Sequence, residues 1–404
     1  MDRLVNSERL HYIDWLRVLA VMLLFPFHTA RVFNNEDFYV KNEVLSRGMD
    51  IFISFVHQWH MPLFFLVSGV GTWFALRSRT GGSYLKERVK RLVVPLLFGS
   101  CVIVPPQVYL MRVGGRGYGH AAEPMFRGSY FEFYPRFFNG IPPEGNWEWA
   151  HLWFLAYLFT FSVVALPIFH YLKGDAGKRL ISRIVAVCER RGGIFAFAVP
   201  LVVIEAALRP IWPGFQNLYN DWANFLFYLT FFVYGYVLCA DARFGRAIEK
   251  HGRTALVFGV TCVAFYLAID AAGLVPGLGY SPGFILLMVL RGFNAWFWLV
   301  AILWLGQRYL NFTNKALRYS NDAVLPVYVL HQTVIVVIAY YVVPWQTRVF
   351  GKFLFITAAS LVGTFLIYDI IVRRTGVTRF LFGMRMKRAA VGAAALEKVS
   401  SETT

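Results

Sequence analysis

The chain has 404 residues, of which 57% are hydrophobic, 18% aromatic and only 16% charged, and its mean hydropathy is +0.51. A soluble domain carries about 25% charged residues, so the composition excludes an ordinary soluble protein and points to a polytopic membrane protein. The net charge of +17 would suit a nucleic-acid partner, but the cations sit between apolar runs, where membrane topology accounts for them.

A spanning helix needs about 20 apolar residues. Ten stretches qualify, roughly 12–33, 51–76, 92–111, 151–171, 194–208, 223–240, 255–271, 283–305, 323–342 and 353–372. The fifth is short and the eighth is interrupted by Arg291. The expected fold class is therefore all-α, a polytopic integral membrane helix bundle of about ten transmembrane helices. With the N-terminus taken as cytoplasmic, the inside segments hold 28 Lys and Arg and the outside segments 11, with Arg17 within the first span. That asymmetry predicts that both termini are cytoplasmic. Residues 1–388 read as one transmembrane domain and 389–404 as a disordered cytoplasmic tail.

The first stretch, from Tyr12 to His28, carries Asp14, Arg17 and His28 among apolar residues. A charge in hydrocarbon costs several kcal/mol and usually faces a protein interior or a water-filled cavity. Arg17 and His28 are eleven residues apart, which is three turns plus about 20°, so they share a face roughly 16 Å apart along the axis. Asp14 lies on the same face, three residues before Arg17. Arg17 snorkelling to headgroups and His28 packing as a satisfied histidine would be the ordinary explanation; the other is that this face lines a reaction channel. No small-residue cleavage site follows, so the stretch is expected to be retained.

The second span opens His57-Gln-Trp-His60-Met-Pro and continues to Ser68-Gly69. Counted at ~1.5 Å per residue, His60 lies about 14 Å and His28 about 8 Å below the outer surface, which predicts comparable depths. His57 and His60 fall on one face at i, i+3. No intramembrane carboxylate is expected to join them, so no metal site is read here, and the four scattered cysteines, without CxxC spacing, add none. Ser68-Gly69 reads as a close helix contact more readily than as a nucleophile. The third span is entered through Lys86-Glu-Arg88-Val-Lys-Arg91, a positive-inside anchor or a clamp for phosphate oxygens.

The longest outside segment, 112–150, holds the run Gly114-Gly-Arg-Gly-Tyr-Gly119, which no strand precedes, so a nucleotide loop is not indicated. Trp147 and Trp149 lead into His151 at the start of the fourth span. They read as an interface belt or, beside Glu144, Asn146 and Glu148, as a platform for a sugar ring. His331 is a further ionisable group in the ninth span.

These pieces resemble the membrane-bound acyltransferase-3 family: Asp14-x-x-Arg17 with His28 eleven residues later, His60-Met-Pro-Leu-Phe-Phe, Arg88-x-x-Arg91 with Pro95, His151-Leu-Trp-Phe-Leu and Tyr328-x-x-His331. The closing Tyr368-Asp-Ile-Ile-Val-Arg-Arg-Thr and Arg379-Phe-Leu-Phe-Gly383 look most like the glucan-biosynthesis branch, although Asp369 stands where that branch has Glu and Phe380 where it has Pro. The resemblance implies transfer of an acetyl or succinyl group from cytoplasmic acyl-CoA to a hydroxyl of an extracytoplasmic glycan, across a bacterial cytoplasmic membrane and with no permanently bound cofactor. His28 is then the expected general base, with His60 or His331 orienting it or holding the oxyanion. Arg17, Arg88 and Arg91 are expected to take acyl-CoA, and Trp147, Trp149 and His151 the glycan. A proton-coupled transporter would use Arg17, His28 and His60 as a relay; it predicts repeats and paired broken helices, which the sequence does not display.

Overall fold

The structure, a computed structural model, describes residues 10–114, 125–142 and 145–385. Among these there is no strand. The helices are α1 His11–Arg31, α2 Arg47–His57, α3 His60–Ser78, α4 Gly81–Gly114, α5 Tyr130–Phe137, α6 Trp153–Val164, α7 Leu166–Lys173 and α8 Asp175–Glu189. They continue with α9 Ala198–Leu208, α10 Trp222–Ala240, α11 Arg243–Ala271, α12 Pro282–Tyr309, α13 Lys315–Val342, α14 Val349–Ile367 and α15 Gly376–Leu381.

Each of the ten expected stretches is helical. Among the described residues eight helices are long and apolar enough to span, with α2 and α3 together making one of them. The fourth stretch is a broken pair: a 3-10 turn and α6, then α7 at a bend of 46°. Pro167, at the start of α7, has no N–H to continue the ladder. The fifth, Gly193–Leu208, is apolar but short. The glycine-rich run from Gly115 onward, Glu144 and the tail 389–404 lie outside the described residues.

The connections rich in Lys and Arg meet at one end of the bundle. Lys173 Nζ donates to the Leu76 carbonyl at 2.7 Å, Arg243 Nη2 to Ser182 Oγ at 3.1 Å, and Trp15 Nε1, near the start of α1, to the Phe312 carbonyl at 3.0 Å. At the opposite end Arg112 Nε donates to Asn146 Oδ1 at 2.8 Å and Lys352 Nζ to Asn42 Oδ1 at 2.9 Å. The charge asymmetry of the sequence is thus an asymmetry between the two ends of the folded molecule.

Two packing features position the site. α1 is a central element, lying against α2, α3, α12, α13 and α14, with Val21, Leu24 and Phe25 buried. α3 and α10 cross backbone to backbone: a Cβ on Gly69 would overlap the Phe232 carbonyl, and one on Gly235 the Leu66 carbonyl. Small residues permit such approaches where hydrocarbon supplies no hydrophobic drive, which bears out the packing reading of Gly69. α4 widens into π turns at Val89–Val93 and Gly99–Ile103. Pro95 cannot donate to the Arg91 carbonyl and Pro105 cannot donate to Cys101, so the α ladder is interrupted at both places.

Candidate active site

His331 belongs to a buried stripe of α13 at four-residue spacing, Val327, His331, Ile335 and Ala339, all with 0% exposure, the pattern of a helix face turned to a core. That stripe packs on α1 and brings His331 to His28, with ring centroids 5.1 Å apart. His151, in the 3-10 turn ahead of α6, lies 5.0 Å from His331, edge to face. Three rings far apart in sequence therefore form one cluster.

Backbone carbonyls fix the orientations. His331 Nδ1 lies 2.6 Å from the Tyr328 carbonyl, His151 Nε2 lies 3.0 Å from the Val329 carbonyl, and the Tyr328 hydroxyl donates to the His151 carbonyl. A carbonyl only accepts, so in each neutral ring the bonded nitrogen carries the proton and the other presents a lone pair. Those others, His331 Nε2 and His151 Nδ1, are buried without a hydrogen-bond partner, and so is His28 Nδ1. Buried polar atoms are rarely left unpaired, and three in one cluster set this place apart from ordinary packing. His331 and His151 are closed off, whereas His28 is only half-buried. His28 is the most exposed ring of the three.

Aromatic side chains wall the cluster. Phe27 stands edge to face with His28 at 5.2 Å, Phe38 stacks on it at 6.1 Å, and Phe25 meets His331 at 5.9 Å. Phe38 comes from the loop after α1, where Lys41 Nζ donates to the Arg31 carbonyl at 2.6 Å and the Glu36 carbonyl at 2.9 Å. Burial, and then the charge of Arg31, brings that ammonium down to about 8.

His60 is held apart from the three-ring cluster by one aromatic side chain. Its Nε2 donates to the Ala20 carbonyl at 2.8 Å, a group roughly two turns below His28 along α1, and Phe27 lies between the two histidines. His60 is thus deeper than His28, the order of the depths counted from the sequence, and it remains in electrostatic reach of His28 and His331. The chain breaks at Gln58 and Trp59 between α2 and α3, so His57 and His60 lie on separate helices and His57 faces a different cavity. A buried carboxylate that the sequence reading did not single out is Glu205 of α9, to which Arg209 donates at 3.0 and 2.5 Å; it is paired with arginines and does not join the histidines. The signal was present in the sequence as an i, i+4 Glu/Arg pair within an apolar stretch.

Trp147 and Trp149 lie with centroids 6.5 Å apart, and Trp149 Nε1 donates to the Gln216 carbonyl at 3.2 Å. Between them Glu148 accepts from the Tyr39 hydroxyl, and Tyr39 touches Phe38, the lid ring of His28. Burial raises the Glu148 carboxyl above its ordinary range, against the opposing pull of Tyr39 and Arg112. The tryptophan segment therefore borders the site, while His151, grouped with it by sequence, belongs to the histidine cluster.

At the other end of α1, Arg17 Nη1 pairs with Asp14 Oδ1 at 3.3 Å. Arg88 Nη2 donates to Thr72 Oγ1 at 3.0 Å with its guanidinium 4.9 Å from the Tyr84 ring centre, and Arg91 pairs with Glu87 at 3.7 Å. Arg91 is in electrostatic reach of Arg385, Arg88, Arg17 and Arg79, and Arg79 also pairs with Glu87. Arg17, Arg88 and Arg91 are thus brought together, with Arg79 and Arg385 as members the sequence did not single out. Because a π turn starts at Val89, Arg88 and Arg91 do not hold the α-helical i, i+3 alignment. Among the described residues no group of three His, Cys, Asp or Glu is placed to hold a metal ion.

A helical bundle that holds one half-buried histidine against two buried ones, on a helix whose Arg17 joins a guanidinium cluster at its other end, defines a polytopic membrane protein with a buried polar centre. The chain belongs to the acyltransferase-3 family, whose acyltransferase domain matches residues 10–369; it is a membrane acyltransferase. It is similar to Glucans biosynthesis protein C of Escherichia coli O6:K15:H31 (strain 536 / UPEC), at 24% identity over 387 residues, covering 94% of this chain and 95% of that protein. It is also similar to Glucans biosynthesis protein C of Salmonella schwarzengrund (strain CVM19633), at 22% identity over 405 residues, covering 96% and 99%. No solved structure matches the chain.

Proposed function

We propose that the protein is an O-acyltransferase that carries an acyl group from acetyl-CoA or succinyl-CoA, bound at the basic end, to a hydroxyl of a glycan at the opposite end, with His28 as general base. The observation that carries this reading is the layout of α1. One helix presents Arg17 to a cluster of five guanidiniums and two carboxylates, and His28 to two buried imidazoles with unpartnered nitrogens. A surplus of guanidinium forks suits a polyanion such as the phosphates of CoA. In this reading, which the positive-inside asymmetry favours, that end faces the cytoplasm, where acyl-CoA is made, and the histidine end faces the outside of a bacterial cytoplasmic membrane. The printed name of the relatives favours a glucan as acceptor.

The tautomers supply the chemistry. In the structure His28 Nδ1 and His331 Nε2 are not hydrogen-bonded to each other; in this reading a proton on His28 Nδ1 turns to the His331 Nε2 lone pair, which leaves His28 Nε2 as the base. It takes the proton of the glycan hydroxyl as that oxygen bonds to the thioester carbonyl carbon. The C–S bond then breaks, and the leaving thiolate recovers the proton from His28. The ester and free CoA are the products, and His28 returns to its starting form.

The test is transfer of radiolabelled acyl groups in reconstituted vesicles, with acyl-CoA binding measured separately. His28→Ala should keep donor binding and lose ~10² to 10⁴ in transfer rate, the usual worth of a positioned base. His28→Gln should do no better, since an amide cannot accept the proton. Transfer at near wild-type rate by His28→Ala would overturn the assignment.

A further inference from the structure

A cavity of about 280 Å³ lies on the far side of Phe27 from the histidine cluster, bounded by His57 and Gln58 at the end of α2, Phe265 and Tyr266 of α11, and Arg291 and Asn294 of α12. Its two cations are unequally paired. Glu205 accepts both nitrogens of Arg209, at 3.0 and 2.5 Å, and Arg209 is completed by the Pro213 carbonyl at 3.0 Å and Asn224 Oδ1 at 2.9 Å. Arg291 reaches the same carboxylate only at 3.5 Å through Nε. Among the described residues it has no other carboxylate within ion-pair distance, and its terminal nitrogens have no hydrogen-bond partner. Glu36, the other carboxylate on the wall, is taken by Arg31. Asp221, buried behind the same wall, adds its negative charge near Arg209, so Arg209 is matched while Arg291 keeps only the long contact to Glu205, and a guanidinium so weakly paired in a low-dielectric wall attracts an anion.

A second, independent observation lies one turn further along α12. Asn294 is 3% exposed and donates through Nδ2 to Gln58 Oε1 at 2.8 Å, yet its Oδ1 on the cavity side has no partner. The site thus offers a forked cation and, beside it, a buried acceptor that needs a donor. The α11 wall belongs to the periphery of the bundle, since large apolar side chains of that helix, Val257, Phe258, Val260 and Phe265 among them, are exposed. Phe265, 47% exposed, and Val275, 40% exposed, make an apolar rim on that side.

We propose that this cavity is a second ligand site, distinct from the histidine cluster, which takes a glycerophosphate-type group: an oxyanion on Arg291 and a neighbouring hydroxyl donating to Asn294 Oδ1. Such a group comes either from the headgroup of an anionic lipid entering past Phe265 and Val275, or from a soluble glycerophosphate. The apolar rim favours the lipid, whose chains would stay in the bilayer while the headgroup turns inward.

The experiment uses the whole protein in nanodiscs of phosphatidylcholine, with phosphatidylglycerol added in one arm and soluble glycerol phosphate in the other. Native mass spectrometry reads the retained lipid, and the midpoint of thermal unfolding reads the soluble anion. The wild type should retain phosphatidylglycerol over phosphatidylcholine. Arg291→Gln should reduce that retention about tenfold, and Asn294→Leu, which leaves every charge in place, should reduce it severalfold. His28→Ala should retain the lipid as wild type does, so the outcome is independent of the catalytic assignment. A midpoint raised by glycerol phosphate and reset by the same two variants, without lipid retention, would assign the site to the soluble source. Equal retention and equal midpoints in wild type, Arg291→Gln and Asn294→Leu overturn the proposal. If Arg291→Gln does not fold, Asn294→Leu and Arg291→Lys decide it, since Lys keeps the charge but not the fork.

Discussion

His28 and His331 stand 5.1 Å apart, centroid to centroid, although 303 residues separate them in the chain, and each has one buried imidazole nitrogen without a partner. The bond from His331 Nδ1 to the Tyr328 carbonyl leaves only Nε2 to face a neighbour as an acceptor. In the proposed reaction His331 is a positioning residue that acts through His28.

His331→Leu should therefore lower kcat by about 10- to 100-fold, the cost of leaving one buried polar group unoriented, without weakening acyl-CoA binding. His331→Gln restores an acceptor and should recover part of the loss. A purely structural role would instead lower the yield of folded protein from both variants and leave kcat per folded molecule unchanged.

At the basic end, each charge-assisted contact to a phosphate is worth roughly 1.5–3 kcal/mol. Replacing both Arg88 and Arg91 with Gln should raise the Kd for acyl-CoA by about 10² or more, measured by equilibrium binding to reconstituted protein. Thr72→Val removes the hydroxyl that anchors Arg88 but keeps its charge, and should cost less than tenfold. Unchanged donor affinity in the double variant would return these residues to the role of topology anchors.

Glu148 gives a pH signature. Its folded-state pKa is raised by burial, so the folded protein holds this proton more tightly than the unfolded chain. The stabilisation is complete below the unfolded carboxyl value of about 4.5 and is lost as pH rises through the higher folded value. Glu148→Gln keeps an acceptor for the Tyr39 hydroxyl and cannot titrate. The midpoint of thermal unfolding should fall less steeply with rising pH in that variant than in the wild type across the mildly acidic range. Identical slopes would contradict the assignment.

Gly69 and Gly71 form a matched pair on α3. A methyl group at Gly69 would overlap backbone of α10, while one at Gly71 meets nothing within 4 Å. Gly69→Ala should destabilise by about 1–3 kcal/mol, the range for overpacking, and Gly71→Ala should be neutral or stabilising by up to about 1 kcal/mol. Thermal unfolding of the two variants in the same detergent checks both.

The sequence by itself determined the class of fold, because about 20 apolar residues in a row have one stable use and basic loops sort to one side of a bilayer. It also determined that Asp14, Arg17, His28 and His331 were out of place in hydrocarbon, since the cost of a charge there depends on composition alone. What it could not decide was which of the ionisable groups meet. Helical periodicity runs along one element and says nothing of the neighbour, so the bond from His60 to the Ala20 carbonyl of α1 and the placing of Phe27 between His60 and His28 were not legible. His151 looked like part of an outer aromatic platform until the 3-10 turn carried it behind His331. Arg79 and Arg385 joined the basic cluster, and Glu205 came to be shared between Arg209 and Arg291, through contacts between elements distant in the chain. Those pairings are set by how helices cross, at glycines such as Gly69 and Gly235 and at the prolines of α4, and only the packed bundle fixes them.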